Sequence, residues 1–251
     1  MNVNANTASA GKPGPAPGSR IALVAGGSGL VGRALLPVLL AAPEYARVQA
    51  ISRRPLPLEH ARLANRVLRF DASLDSQLKG LAVQDAFCCL GTTLRAAGSQ
   101  AAFRAVDHDL VLAFARAAKA AGAERLVIVS SVGANATSNS FYLRVKGETE
   151  QDLEALRLRS LDILQPSLLL GTRSEWRGLE FAGQIAGWIL GPLLMGGWSR
   201  YRPIEAAVVA AAMRGAARGG RLGVTRYSYP ALRRLAGERS GRSASAGINA
   251  Y

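Results

Sequence analysis

Three side chains have the types and spacing for proton chemistry. Tyr142 and Lys146 stand four apart in Ser140-Phe-Tyr-Leu-Arg-Val-Lys-Gly-Glu148, which puts both on one face of a helix. A phenol is a weak acid at neutral pH, and an ammonium one turn away favours its anion, so the pair suits a group that gives or takes a proton at a substrate oxygen. Just upstream, Ser130-Ser131 ends an apolar run, and a serine hydroxyl there can hold the same oxygen. Lys146 is one of only four lysines in the chain, which adds weight to a spacing that is weak by itself.

These groups need a partner to chemically transform, and the start of the chain suggests one. Ile21-Ala-Leu-Val-Ala25 is short, aliphatic and uncharged, like a parallel strand buried on both faces. It runs into Gly26-Gly-Ser-Gly-Leu-Val-Gly32. Gly26 permits a tight turn, Gly29 lets the backbone approach a pyrophosphate, and Gly32 lets the following helix pack on the strand. Gly26, Ser28, Gly29, Leu30 and Gly32 are the expected phosphate-binding set, at the positive end of a helix over residues 30–41 that contains Pro37.

The second strand, Arg47–Ile51, ends in Ser52-Arg53-Arg54-Pro55. An acid at that place binds the adenosine ribose of NAD, whereas arginine accepts the 2′-phosphate of NADP. Arg53 and Arg54 therefore point to NADP(H) as the preferred cofactor, with NAD(H) possible; the alternative is a pair of solvated loop arginines. A third strand at Val67–Phe70 would deliver Asp71 either to the adenine amino group or to the start of a short helix near Ser73. Residues 83–90 read as a fourth strand that leads into Gly91-Thr92-Thr93, either a close approach to the cofactor or a plain turn. An alanine-rich helix over 100–121 ends at Gly122, and a fifth strand at 124–130 carries the serine pair.

The pattern resembles the short-chain dehydrogenase/reductase superfamily in its atypical or extended branch, with GxxGxxG at the first turn and Ser…YxxxK after the fifth strand. More narrowly, Phe87-Cys-Cys-Leu-Gly-Thr-Thr93, Ser130-Ser-Val-Gly-Ala134 and Ser140–Glu148 are similar to the Tat-interacting-protein-like oxidoreductases and their bacterial relatives. The resemblance spans residues 20–230. It implies an α/β fold: a Rossmann-type, doubly wound parallel sheet with helices on both faces and a small C-terminal substrate region. It also implies NADP(H) held by Arg53 or Arg54, with Tyr142 as general acid–base. Lys146 would orient the nicotinamide ribose and stabilise the tyrosine's anion. Ser131, by the superfamily pattern, would bind the substrate oxygen, with Ser130 as its rival. The superfamily often places an asparagine for a proton relay where this chain has Asp107.

One domain over residues 20–235 is expected, after a leader at 1–19 rich in Asn, Ala, Gly and Pro and before a flexible tail at 236–251. Substrate and lid elements are expected at 171–220. A sixth strand at 160–170 is broken at Pro166, an alanine-rich helix runs to about Arg218, and a last strand and small helix follow from 224. Residues 181–199 carry no charge, which suits a lid or buried helix, a peripheral membrane or protein contact, or, least well, a membrane span.

The formal net charge of +14 raises nucleic acid as a partner, but the arginines are dispersed, so no specific nucleic-acid binding is expected. Cys88 and Cys89 are adjacent in an apolar strand and unsuited to a structural disulfide, which fits a reducing, cytoplasmic location. His108 has no metal-spaced companions and reads as structural, so no metal is expected. The resulting expectation is an NADP(H)-dependent oxidoreductase acting on a small carbonyl or alcohol substrate, as a monomer or homodimer. Two alternatives are an NADP(H)-binding regulatory or interaction protein and, less strongly, an epimerase of the nucleotide-sugar type.

Overall fold

The computed structural model describes residues 18–70, 74–171 and 201–237. Among the described residues, nine strands and the helices between them are built around one seven-stranded sheet. In chain order the strands are β1 (Arg20–Ala25), β2 (Tyr45–Ser52), β3 (Leu63–Val67), β4 (Asp85–Cys88), β5 (Arg125–Val129), β6 (Ser160–Leu164), β7 (Leu169–Leu170), β8 (Ile204–Glu205) and β9 (Gly223–Tyr227). The main sheet has the order β3-β2-β1-β4-β5-β6-β9, with every neighbouring pair parallel. The chain winds outward from β1 to β3, then returns to lay β4 against the other side of β1. That reversal opens a crevice at the carboxyl ends of β1 and β4, where ligands of open α/β sheets bind.

Strand periodicity explains the two layers of core. Ala22 and Val24 of β1 face one cluster, whereas Leu23 and Ala25 face the other. The first cluster is covered by α1 (Leu30–Leu40), α7 (Ala206–Arg218) and α8 (Tyr229–Leu235). The second is covered by α2 (Leu74–Leu78), α5 (Val111–Ala120) and α6 (Phe141–Ala155). Helices on both faces of a parallel sheet give the doubly wound α/β architecture. Alternation also separates the cysteines: Cys88 belongs to the second cluster and Cys89 packs against the first, so neither forms a disulfide.

Buried polar groups fasten the amino edge of the sheet. Asp85, 1% exposed, accepts from Arg20 Nε at 2.7 Å and from the Tyr45 hydroxyl at 2.9 Å. Asp162 accepts from the hydroxyls of Tyr227 and Ser160, while Arg125 bridges from β5 to Ser160 and to the Ala217 carbonyl of α7. Each buried carboxylate is thus supplied with donors, as a low-dielectric interior demands.

Three elements differ from the sequence expectation. β3 lies at Leu63–Val67 rather than Val67–Phe70: Arg62 caps the carbonyls of Leu40, Ala42 and Tyr45 and so starts the strand early. The helix over 100–121 is a composite. Its ends are α4 (Gln100–Arg104) and α5, but Ala105–Leu110 forms a π-helical turn; the run does stop before Gly122, at φ +94°. The segment after Pro166 leaves the main sheet, and β7 pairs with β8 in a separate two-stranded sheet. Asp71, the leader up to residue 17 and the uncharged stretch 181–199 lie outside the described residues.

Candidate active site

The glycine turn joins β1 to α1 with little room to spare. Gly26 has φ +80°, and a Cβ there would sit 2.5 Å from the Cys89 carbonyl, so both its conformation and its space exclude other residues. A Cβ on Gly32 would overlap the Gly26 carbonyl. Gly29 is the N-cap of α1, its own N–H bonded to Gly26 O at 3.0 Å. Ser28 and Gly29 are exposed at the mouth and Leu30 is half-buried behind them. The cradle fits a pyrophosphate: its walls are backbone, and α1 begins there with no acidic residue in its first turn and no side-chain cap on its leading amides.

From this turn a cleft of about 130 Å³ extends past Ser52, Arg53, Phe70 and Leu90 to Gly91 and Val106. Arg53 lines it; Arg54 does not. Both arginines are exposed, and neither guanidinium has an ion-pair or hydrogen-bond partner among the described residues. The residues present fit a dinucleotide laid along this cleft. A second hollow, shallow and about 630 Å³, lies outside the β2–β3 connection and meets none of the reactive groups.

Beyond Gly91 lie Lys146 and Asp107. Lys146 is buried, and its Nζ lies 2.7 Å from Asp107 Oδ1. Asp107 Oδ2 accepts the backbone N–H of Thr92 at 2.8 Å, and Gly91 abuts the pair: a Cβ there would be 3.4 Å from Asp107 Oδ1 and 3.9 Å from Lys146 Nζ. Burial pulls the Lys146 pKa down, but the Asp107 charge, then Tyr142 and the hydrogen bond to Asp107, push it up, and the balance lies above the ordinary lysine value. Lys146 is therefore a cation at physiological pH.

The π turn is what presents Asp107. One extra residue in the turn widens the helix, a feature common where side chains must be re-aimed. It is docked on α6 at two further points. The Asp107 carbonyl accepts from Thr149 Oγ1 at 3.1 Å, and His108 Nε2 meets Asp152 at 2.9 Å while Nδ1 meets Asp109 at 2.7 Å. His108 is thus a structural bridge, and among the described residues no group of acidic, histidine and cysteine side chains is arranged to hold a metal.

Tyr142 stands one turn before Lys146 on α6, half-buried, its ring 5.4 Å from that of Phe103. Ser130 and Ser131 differ sharply. Ser130 is buried and donates to Glu150 Oε1 at 2.5 Å; Glu150 also accepts from Gln165 and from Arg226. Ser131 is half-buried, and among the described residues its hydroxyl makes a long 3.4 Å contact with the Val132 carbonyl. The hydroxyl of Thr93 accepts the Ala96 N–H at 3.1 Å as the N-cap of α3 (Leu94–Ala97), while Thr92 meets Asp107 through its backbone.

Two residues that sequence reasoning left without a role help to build the site. A Cβ on Gly147 would overlap Asn135 and the Ala136 N–H, so this glycine lets the loop after Ser131 close against α6. A glycine inside a helix costs about 1 kcal/mol relative to alanine, and its presence there was the available signal. Glu150, one turn beyond Lys146, fixes Ser130; its burial is a tertiary property with no local signature.

Comparisons with known proteins agree with this arrangement. The NAD(P)H-binding family model matches residues 26–172, from the glycine turn to just beyond β7. The chain is 39% identical over 165 residues to the FMP52 protein of Saccharomyces cerevisiae, covering 65% of this chain and 71% of that one. It is 37% identical over 171 residues to HTATIP2 of Rattus norvegicus, covering 64% of this chain and 70% of that one. Among solved structures it is similar to a short-chain dehydrogenase from Burkholderia cenocepacia in complex with NADP, with a TM-score of 0.62, 16% identity and coverage of 90% and 94%. A superfamily protein from Agrobacterium tumefaciens with bound NAD gives 0.61, 17%, 83% and 77%. At such identities the structural likeness speaks for the fold alone.

The relatives also correct one expectation. FMP52 proteins of four fungi, from 35% to 42% identical to this chain, are named mitochondrial, which overturns the cytoplasmic assignment. That assignment rested on unpaired cysteines, which indicate a reducing environment and do not say which compartment supplies it. Among the described residues no helix is long and apolar enough to cross a membrane. With its glycine cradle, its parallel sheet and these relatives, the chain belongs to the NAD(P)H-binding family, in the group that includes FMP52 and HTATIP2.

Proposed function

We propose that this protein is an NADP(H)-dependent oxidoreductase that interconverts a small carbonyl compound and its alcohol. The observation that carries the reading is the placement of Tyr142 one turn before Lys146, on a helix whose buried ammonium abuts Gly91 at the carboxyl end of β4. A bound nicotinamide dinucleotide would supply or accept the hydride. The chain's own residues do the rest. Gly26, Ser28, Gly29, Leu30 and Gly32 hold the pyrophosphate, Arg53 meets the 2′-phosphate, and Gly91 leaves room for the cofactor's backbone-side approach. Ser131 donates a hydrogen bond to the substrate oxygen, because Ser130 is committed to Glu150. Tyr142 passes the proton to or from that oxygen, and Lys146 keeps a positive charge beside it.

The test is NADPH consumption by the purified full chain over a panel of aldehydes, ketones and quinones. Turnover on at least one class supports the reading. Micromolar NADPH binding with no turnover on any of them overturns the enzymatic part.

A second reading, a dinucleotide-binding interaction protein with little turnover, is favoured by one observation. The Lys146 ammonium is already engaged by a carboxylate, which tempers its influence on Tyr142. The names FMP52 and HTATIP2 state no reaction.

A further inference from the structure

The two arginines after β2 sit on a turn held by a closed set of hydrogen bonds. Ser52, at the last position of β2, donates from Oγ to the Arg54 carbonyl at 2.6 Å. Its oxygen accepts from Asn65 Nδ2 at 2.9 Å, and the same amide reaches the Ala50 carbonyl at 3.3 Å. Asn65 Oδ1 accepts the Leu56 N–H at 3.0 Å. One β3 side chain therefore grips the turn at both ends, on either side of Arg53, Arg54 and Pro55. The Ser52 hydroxyl gives its one proton, and the Asn65 amide both of its own, to these contacts. Leu56 then packs on the glycine turn: a Cβ on Gly27 would lie 3.2 Å from Leu56 Cδ1. The arginine turn and the phosphate turn are thereby fixed to each other.

An exposed arginine on a free loop has many rotamers and backbone states to lose on binding an anion, whereas a pinned turn has paid that entropy in folding. We infer that Asn65, acting through Ser52, is a positioning residue for cofactor discrimination: it holds the 52–56 turn so that Arg53 faces a dinucleotide carrying a 2′-phosphate. The inference rests on the dinucleotide reading of the cleft. It adds a residue outside the glycine and arginine motifs, on a different strand.

The experiment is a double-mutant cycle on the full chain, with dissociation constants for NADPH and NADH read by cofactor fluorescence. Arg53→Ala is expected to weaken NADPH about tenfold and to leave NADH within about twofold. Asn65→Ala is expected to do the same, and the double variant to be no weaker than Arg53→Ala alone, because both changes remove one interaction. Ser52→Ala, which keeps Asn65, is expected to fall in the same direction and serves where Asn65→Ala does not fold. Equal weakening of NADPH and NADH by Asn65→Ala or Ser52→Ala, or full additivity with Arg53→Ala, overturns the positioning role while leaving the NADP reading intact. A wild type that binds both dinucleotides equally, or neither, overturns the cofactor reading and this inference with it.

Discussion

Asp107 Oδ1 lies 2.7 Å from Lys146 Nζ, and both groups are buried. The carboxylate hangs from a π turn and its second oxygen holds the Thr92 N–H, so one residue ties the loop after β4 to the helix that bears Tyr142. Removing one partner of such a pair leaves an uncompensated buried charge. Asp107→Ala is expected to destabilise the fold by about 3–5 kcal/mol in urea denaturation, and the Asp107→Ala/Lys146→Met double variant by clearly less than the sum of the two single changes. Additive losses would show that the two side chains do not act on each other.

The same pair sets an alkaline limit. Lys146 has a higher pKa folded than unfolded, so its contribution is complete below the unfolded value of about 10.4 and is lost as pH rises through the folded value. The stability gap between wild type and Lys146→Met should therefore be constant from pH 7 to about 9.5 and narrow at higher pH. A gap that narrows between pH 7 and 9 would contradict a raised lysine pKa.

Much of this arrangement was legible in the residues. The glycine spacing located the first turn, and the structure gives Gly26 and Gly32 the steric roles expected of them, because backbone crowding is a local constraint that sequence records directly. The first strand read as a parallel one buried on both faces, and the doubly wound parallel sheet followed from the family resemblance. What was not legible depends on tertiary contact. β3 starts early because Arg62 caps the far end of α1, and the π turn at 105–110 exists because Lys146, Thr149 and Asp152 of α6 hold it. Asp107 could be flagged only as a departure from a pattern, and its lysine partner is 39 positions away. Ser130 and Ser131 differ in their surroundings because Glu150, which no motif marks, takes the Ser130 hydroxyl.

The glycine turn gives a steric prediction. Gly32→Ala must push its methyl into the Gly26 carbonyl, so a loss of about 1–3 kcal/mol and weakened binding of NADPH and NADH alike are expected from thermal melts and titrations. Unchanged melting and affinity would mean that the turn relaxes freely.

The cysteines give a chemical one. Burial pushes the Cys88 thiol up to about 12 and the Cys89 thiol well above its ordinary value, so both are protonated at pH 8. Iodoacetamide at pH 8 should leave both unmodified on a timescale that alkylates them fully in urea, as read by intact-protein mass. Rapid labelling of native protein at Cys88 would contradict the burial of this strand.

The proposed role of Tyr142 is to move a proton in a nicotinamide-dependent reaction. Its most direct measurement compares Tyr142→Phe with wild type for NADPH affinity and for turnover on whichever carbonyl substrate the wild type reduces. Affinity is expected to stay within about twofold and turnover to fall by about 10²–10⁴. Turnover equal to wild type in Tyr142→Phe would contradict that role.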